Sequence, residues 1–504
     1  MEAMTIDSVY LAEPELQFRY GQKMIDPHAG LELLGPFDAD LSSHPLSIPY
    51  AVIGTPQGIL NFRMWAERMQ LAAISIANPE NAYLWPPFPG FETTYNCAFE
   101  VDPVWTLNID SGKIDKATLF SDPDKRAYSV ANLYVEGLKT AEKRDEPISL
   151  AICVVPDVVY ERCRSKSKLT EGIGSRLTKR ERAMRKRGQV HMFDQFDPEQ
   201  YQYSVDFRRQ LKARAMQHAI PTQIIRESTL RLIDTGAPDE RGLTLLSDRM
   251  WNLSTAIYYK AGGKPWRLAS PRPGVCYVGV SFKKTDPSVE NRTACCAAQM
   301  FLDSGDGVVF MGESGPWYSP ATRQCHLSKE AAKKLLTGVL DTYRQLEGRD
   351  LAEVFLHYRS TIDNDEFQGY LSACPSNTKL VGIRVRTERH GLQLFRQGKM
   401  PVLRGTLLRI GESVCYLWAS GFKPNLGTYD GWEVPAPLRI DIEHGEADIV
   451  EVAKDILGLT KLNYNACKLG DSEPVTIGFS DAVGEILVSN LRVANPKPNF
   501  KFYI

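Results

Sequence analysis

The sequence predicts an α/β protein built as two successive wound domains, and three observations predict it. ISLAICVVP (148–156) is a short β-branched apolar run stopped by proline, as expected of a strand buried on both faces of a parallel sheet. From residue 205 the chain alternates helix, strand and helix: RRQLKARAMQHA at helical spacing, the compact strand IPTQII, then SDRMWNLSTAIYYKAGG with apolar positions at helical spacing up to Gly262. Such alternation builds a doubly wound domain, in which ligands gather at strand C-terminal ends and helix N-termini. After SPRPG (270–274), which reads as a linker, come three strand-like stretches, GVCYVGVSF, TACCAAQMFLD and GVVFMGES. The helix KEAAKKLLTGVLDTYRQLEG and the strand AEVFLHYR follow, and three strands, a helix and a strand are the opening order of an RNase H-like fold. Earlier, the chain to about residue 60 is rich in Pro and Gly and ends in the strand-like IPYAVIGT, and residues 60–78 read as an amphipathic helix.

Bulk properties narrow the function classes. A chain of 504 residues is too long for one typical domain. Lys plus Arg is 60 and Asp plus Glu is 61, so any affinity for nucleic acid must come from local clusters. No apolar run is long enough to span a bilayer, and the acidic start MEAMTIDSVY lacks the apolar core of a signal peptide. The ten cysteines form no CxxC pair and the eight histidines no HExxH, which argues against zinc and for reduced thiols in the cytoplasm.

The stretch YYKAGGKPW (258–266) places two lysines around a Gly-Gly pair at a helix end. It reads either as a helix C-cap, which favours glycine and cations, or as a phosphate site. Arg208 and Lys212 are four apart and share a helix face, Gln223 lies in the next strand, and Lys260 closes the next helix. Cations and an amide at the ends of successive elements can converge on one anion. Taken one at a time, each is equally readable as a solvated surface residue.

Together these stretches closely resemble the MID domain of prokaryotic Argonaute proteins, through FRRQLKARAMQHAIPTQIIRESTL and IYYKAGGKPW. The resemblance implies that Arg208, Lys212, Gln223 and Lys260 hold the 5′ phosphate of a guide strand. The family has Tyr or His where this chain has Arg208, which implies retained phosphate binding with less base stacking. Lys264 is read as a contact to a backbone phosphate or as solvated. Residues 404–440 resemble the late PIWI segment, and LTKLNYNAC (459–467) resembles a conserved family motif with Tyr464 in place of Trp. In the family the terminal carboxylate shares a divalent cation with the guide phosphate, so the resemblance implies Mg²⁺ held by the carboxylate of Ile504. Its implied layout is an N-terminal region and start of MID over 1–145, a Rossmann-like MID domain over 146–270 and an RNase H-like PIWI domain over 275–504. GPF (35–37) and VIGTPQG (52–58) look like the start of a short Argonaute.

A slicing Argonaute cleaves with carboxylates holding two metals. In CYVGVSF the first acidic position is Ser281, and in HYRSTID the next is Ser360. Asp363 lies three residues on, and Glu485 in GEILVSN matches the last position weakly. A hydroxyl is a poor ligand for a hard cation, so no strand cleavage is expected. An active nuclease would have to draw ligands from Asp303, Asp306, Asp363 or Glu366.

The chain length resembles that of short Argonautes made of MID and PIWI only, and ACCAAQMFLDSGDG and IRESTL resemble the subgroup partnered by a TIR-carrying APAZ effector. The resemblance implies a guide RNA, a single-stranded DNA target and a heterodimer with an APAZ-containing effector. The effector is a TIR-type NADase in first place, with Sir2 or nuclease versions as alternatives, and oligomerisation on activation is one outcome. Two further segments keep two readings. RLTKRERAMRKRG (176–188) is a mobile arm at a nucleic-acid backbone or a solvated loop. The aromatic YLWPPFPGFETTY (83–95) covers the core or a partner rather than stacking on bases.

Overall fold

The structure, a computed structural model, describes residues 6–74, 83–165, 203–232, 244–269, 271–284, 294–301, 307–319, 322–429, 433–489 and 499–503, with a few isolated positions besides. Two sheets organise it. The first is four-stranded and wholly parallel, from β2 (Tyr50–Gly54), β3 (Trp105–Asn108), β4 (Leu150–Val155) and β5 (Thr222–Arg226), in the order β3-β2-β4-β5. Every residue of β2 and β4 is buried, which is why ISLAICVVP reads as continuously apolar rather than alternating.

The second sheet has nine strands. One end of it is β6 (Val275–Lys284), β7 (Ala294–Phe301) and β8 (Gly307–Gly315), an antiparallel set with β8 at the edge. β9 (Glu353–Tyr358) and β10 (Lys379–Thr387) then run parallel to β6. β11 (Thr406–Ile410), β12 (Val414–Leu417) and β13 (Leu438–His444) continue the sheet beyond β10. The far edge is β1 (Ile6–Tyr10), antiparallel to β11, so residues near the N-terminus finish a sheet built by the second half of the chain. Residues before 146 thus contribute to both sheets.

The helix expected over 60–78 is α1 (Pro56–Met69), which starts earlier on a Thr55 cap and a first-turn proline. It ends at Met69 because Ala73 pairs with Phe88 through two backbone hydrogen bonds of 2.8 and 2.9 Å. Phe88, Phe91 and Tyr95 are buried, so this half of the aromatic segment is core. The helices that matter for the site are α2 (Phe207–Ala215), α3 (Leu246–Ala261) and α4 (Val475–Val488). α3 lies between the sheets, with Met250, Trp251, Ile257 and Tyr258 buried in a core that also contains Ile152 and Ile440. No described helix is long and apolar enough to cross a membrane. RLTKRERAMRKRG lies, but for two positions, outside the described residues, as do Asp303, Asp306 and Ile504.

α4 lies directly on β6. A methyl placed on Gly279 would fall 1.8 Å from the carbonyl oxygen of Thr476, so only glycine lets helix and strand meet. Gly279→Ala therefore has to push α4 off the sheet. A cost of about 1–3 kcal/mol is expected, read as a lowered midpoint in urea denaturation.

Candidate phosphate-binding site

α2 begins at Asp206, whose carboxylate accepts from the Arg209 backbone N–H. The helix turns Arg208 outward and Lys212 inward. Lys212 is 1% exposed, and its Nζ donates to the carbonyl oxygen of Thr222, 2.6 Å away on β5. The next residue on β5 is Gln223, whose Oε1 accepts from Lys260 Nζ at 2.5 Å. Lys260, in the last turn of α3, is 2% exposed. Arg208, Lys212, Gln223 and Lys260 therefore come together from two helices and a strand, and the groups acting on the lysines are each other and Arg208.

Among the described groups that shift them, Arg208, the two lysines and Cys153, there is no carboxylate. Burial, with Arg208 next, pushes Lys212 down to about 7. Burial, then Lys212 and Arg208, holds Lys260 well below the lysine range. Cys153 beneath them is buried, and its thiol is pushed up to about 12, so it is a neutral floor. Crowding cations together in a buried site is costly, and an anion that accepts from all of them lowers the cost.

The glycines of YYKAGGKPW have a simpler role. Gly262 takes φ +112° as the helix C-cap, and its N–H donates to Tyr259 O. Gly263 packs on Tyr258, where a methyl would lie 2.4 Å from the ring. The cap reading is thus right for the glycines, while Lys260 alone turns into the cation cluster. Lys264 is held through its backbone N–H by Asp38, at 2.9 Å, and is not among the charges acting on Lys212 or Lys260. The motif around Tyr464 braces the other side of α3: its ring stacks on Tyr259 at 4.6 Å and its hydroxyl donates to Trp266 O.

The C-terminal turn reaches the same region. Phe500 and Tyr503 pack in one cluster with Ala213 and Met216 at the end of α2. Lys501 in that turn is held below the ordinary lysine value by burial, a cation that sequence spacing does not flag.

A second locus lies where β6 and β9 end. Val280 and Tyr358 are register partners in these parallel strands, so Ser281 and Ser360 follow on the same end of the sheet. Ser281 is buried and donates to Ser480 O at 2.7 Å. Asp363 caps the helix Asn364–Leu371, and buried Glu366 accepts from Tyr358 Oη at 2.8 Å. The acids of α4 and its preceding loop are matched by cations. Arg359 meets Glu473 at 2.7 Å and Asp481 at 3.1 Å. Lys283 meets Asp481 at 3.1 Å, and Arg209 of α2 meets Glu485 at 2.7 Å. Among the described residues no three His, Cys, Asp or Glu side chains are placed to hold a metal ion. Arg209, Lys283, Arg359, Glu473 and Asp481 come from separate parts of the chain and were not singled out from sequence. The i,i+4 pair Asp481 and Glu485 was the one readable signal.

The depressed lysines give a pH dependence. Between about pH 7 and the ordinary lysine range the free native protein binds fewer protons here than the unfolded chain does. This region therefore gains stability as pH rises through that window and is penalised below it. A bound phosphate reverses the balance by restoring the charged lysines. Binding of a 5′-phosphorylated strand should take up protons and weaken as pH rises from 7 to 9. Calorimetry in buffers of different ionisation enthalpy reads that uptake, and Lys212→Gln should reduce it.

Comparison with known proteins bears on the fold. No family model matches the chain, and no curated protein matches it by sequence. Solved structures do. Clostridium butyricum Argonaute, bound to a guide DNA and a 19-mer target DNA, superposes with a TM-score of 0.65 at 13% identity, covering 99% of this chain and 55% of that one. Drosophila Piwi gives 0.58 at 13% identity, covering 99% and 56%, and A. aeolicus Argonaute gives 0.56 at 13%, covering 97% and 55%. The chain spans about half the length of these structures, and its fold is the MID–PIWI arrangement with an RNase H-like sheet.

Proposed function

We propose that this chain is the guide-binding subunit of a short prokaryotic Argonaute complex. It binds a 5′-phosphorylated small RNA, pairs it with complementary single-stranded DNA from invaders such as plasmids, and activates an associated effector. The observation that carries the reading is the buried convergence of Lys212, Gln223 and Lys260, with Arg208 beside them. A phosphate monoester is a compact dianion that accepts from every one of these donors. Anchoring one end of the strand fixes its register, and base pairing then supplies sequence specificity.

In this reading the chain does not cleave its target. Ser281 and Ser360 stand at strand ends where metal-holding acids are needed, and Asp481, Glu485 and Glu473 are each held by a cation. The enzymatic step belongs to an APAZ-containing partner in a cytoplasmic heterodimer. A TIR-type NADase is the first choice, with Sir2 or nuclease effectors as alternatives and oligomerisation as the activated form. NAD depletion would follow target recognition. Mg²⁺ at the guide phosphate depends on the terminal carboxylate of Ile504, because the described residues around Lys212 and Lys260 offer no carboxylate. Phosphate capture itself rests on the lysines.

Filter binding with 5′-phosphorylated and 5′-hydroxyl RNA tests the reading, with the partner co-expressed where solubility requires it. The Lys212→Ala/Lys260→Ala variant should lose about 2–5 kcal/mol of phosphate-dependent affinity. Equal binding of both strands by wild type and variant would sink it. A target paired to the guide should stay intact with manganese present; guide-dependent cleavage would instead establish an active nuclease.

A further inference from the structure

After β10 ends at Thr387, residues 388–401 form a loop on the protein surface. From Arg389 to Met400 it carries Arg389, His390, Arg396 and Lys399 and no acid. Phe395 is 70% exposed and Met400 42%. An aromatic side chain held this far into water on a basic segment has no structural task in the core. The loop is nonetheless shaped: Arg396 lies 4.7 Å over the Phe422 ring and its Nε donates to Met400 O at 3.3 Å. Phe395, Lys399 and Met400 line one part of a cleft of about 280 Å³, which Tyr429 and Val434 also line. Among the described residues that line it, Glu433 is the single acid.

The loop's position adds a second observation. β10 is parallel to β9, so the loop leaves the same end of the sheet as Ser281 and Ser360. Arg389 at its start acts on Glu473, the carboxylate that holds Arg359. The basic loop therefore flanks the sheet end over which a guide–target duplex has to pass if the proposed function is right.

We propose that Phe395 and Tyr429 form a stacking site for unpaired bases of single-stranded nucleic acid, with Arg389, Arg396 and Lys399 holding its phosphates. The site takes bases without regard to sequence, because every base offers a stacking face. Its ligand on this reading is the unpaired tail of a target strand beyond the guide-paired segment. Charge favours a nucleic acid over a protein partner, since residues 388–401 carry three fixed cations against one acid, Glu388, which is already paired with Arg386.

The experiment compares guide-loaded protein binding a target DNA that ends with the paired segment and targets carrying an oligo(dT) tail on either end. One tail should raise wild-type affinity by about 5- to 100-fold. Phe395→Ala should abolish that gain, and Phe395→Trp should keep it with quenching of the new indole fluorescence. Arg396→Gln/Lys399→Gln should lower the salt slope of tail binding by about 1.4. All variants should keep the preference for a 5′-phosphorylated guide. The proposal fails if neither tail adds affinity, or if the gain survives Phe395→Ala. It also fails if Phe395→Ala releases a co-purified protein partner while tail binding stays intact, which makes the cleft a protein contact. Free oligo(dT) binding is measured in parallel. Loss of phosphate preference in the wild type would overturn the guide reading while leaving the Phe395 comparison readable.

Discussion

Helix α3 has to be buried along almost its whole length and still end in a lysine. Trp251 and Tyr258 anchor it in the core between the two sheets, and Trp251 donates to Pro87 O while Tyr258 donates to Asp38. With those anchors set, the last turn cannot swing Lys260 toward solvent. The ammonium is delivered to Gln223 on β5, and Lys212 arrives from α2 against the neighbouring carbonyl. The cation cluster is thus a by-product of where an apolar helix must lie. Its rigidity is useful for the same reason, since little ordering is left to be done when a ligand arrives.

Much of this was legible because it is local. The strands around ISLAICVVP, GVCYVGVSF and AEVFLHYR are short apolar runs with clear stops, and the structure places β4, β6 and β9 there. The C-cap at Gly262 was readable for the same reason. Lys212, Gln223 and Lys260 were named through the resemblance to the Argonaute MID domain, since each alone reads equally as a surface residue. What could not be read is burial. Nothing in RRQLKARAMQHA says that Lys212 faces inward and Arg208 outward. Long-range pairing was equally hidden. Edge strand β1 joins β11 across 400 residues of chain, with Ile6 opposite Ile410. Glu13 lies against the buried side chains of Arg404 and Lys461, and no spacing rule connects them. The helix expected over 60–78 stopped early because of such a distant pairing, between Ala73 and Phe88.

The two loci are joined by charge. From Glu473 the ion pairs pass to Arg359, Asp481, Lys283, Glu485 and Arg209, alternating in sign. The last member stands beside Arg208 on the helix that also carries Lys212. Most of these groups are about a third exposed, so single contacts contribute little. As a set they fix α4 against α2, together with the apolar contacts of Ala213 and Met216 with Val483 and Ile486. Helix α4 is therefore held from below by Gly279 of β6 and from the side by the phosphate-site helix.

Ser281 turns that arrangement into a question of reversibility. Its hydroxyl donates to the carbonyl of Ser480, and a carboxylate in its place would set oxygen against oxygen in a buried spot. The nearby acids already have cationic partners, which would have to leave before any ion could enter. Placing an acid at 281 thus meets an uphill step unless neighbouring groups change with it. The same ion pairs that fix α4 in place thus also fix the charge state of this sheet end, so position and electrostatics there cannot be altered separately.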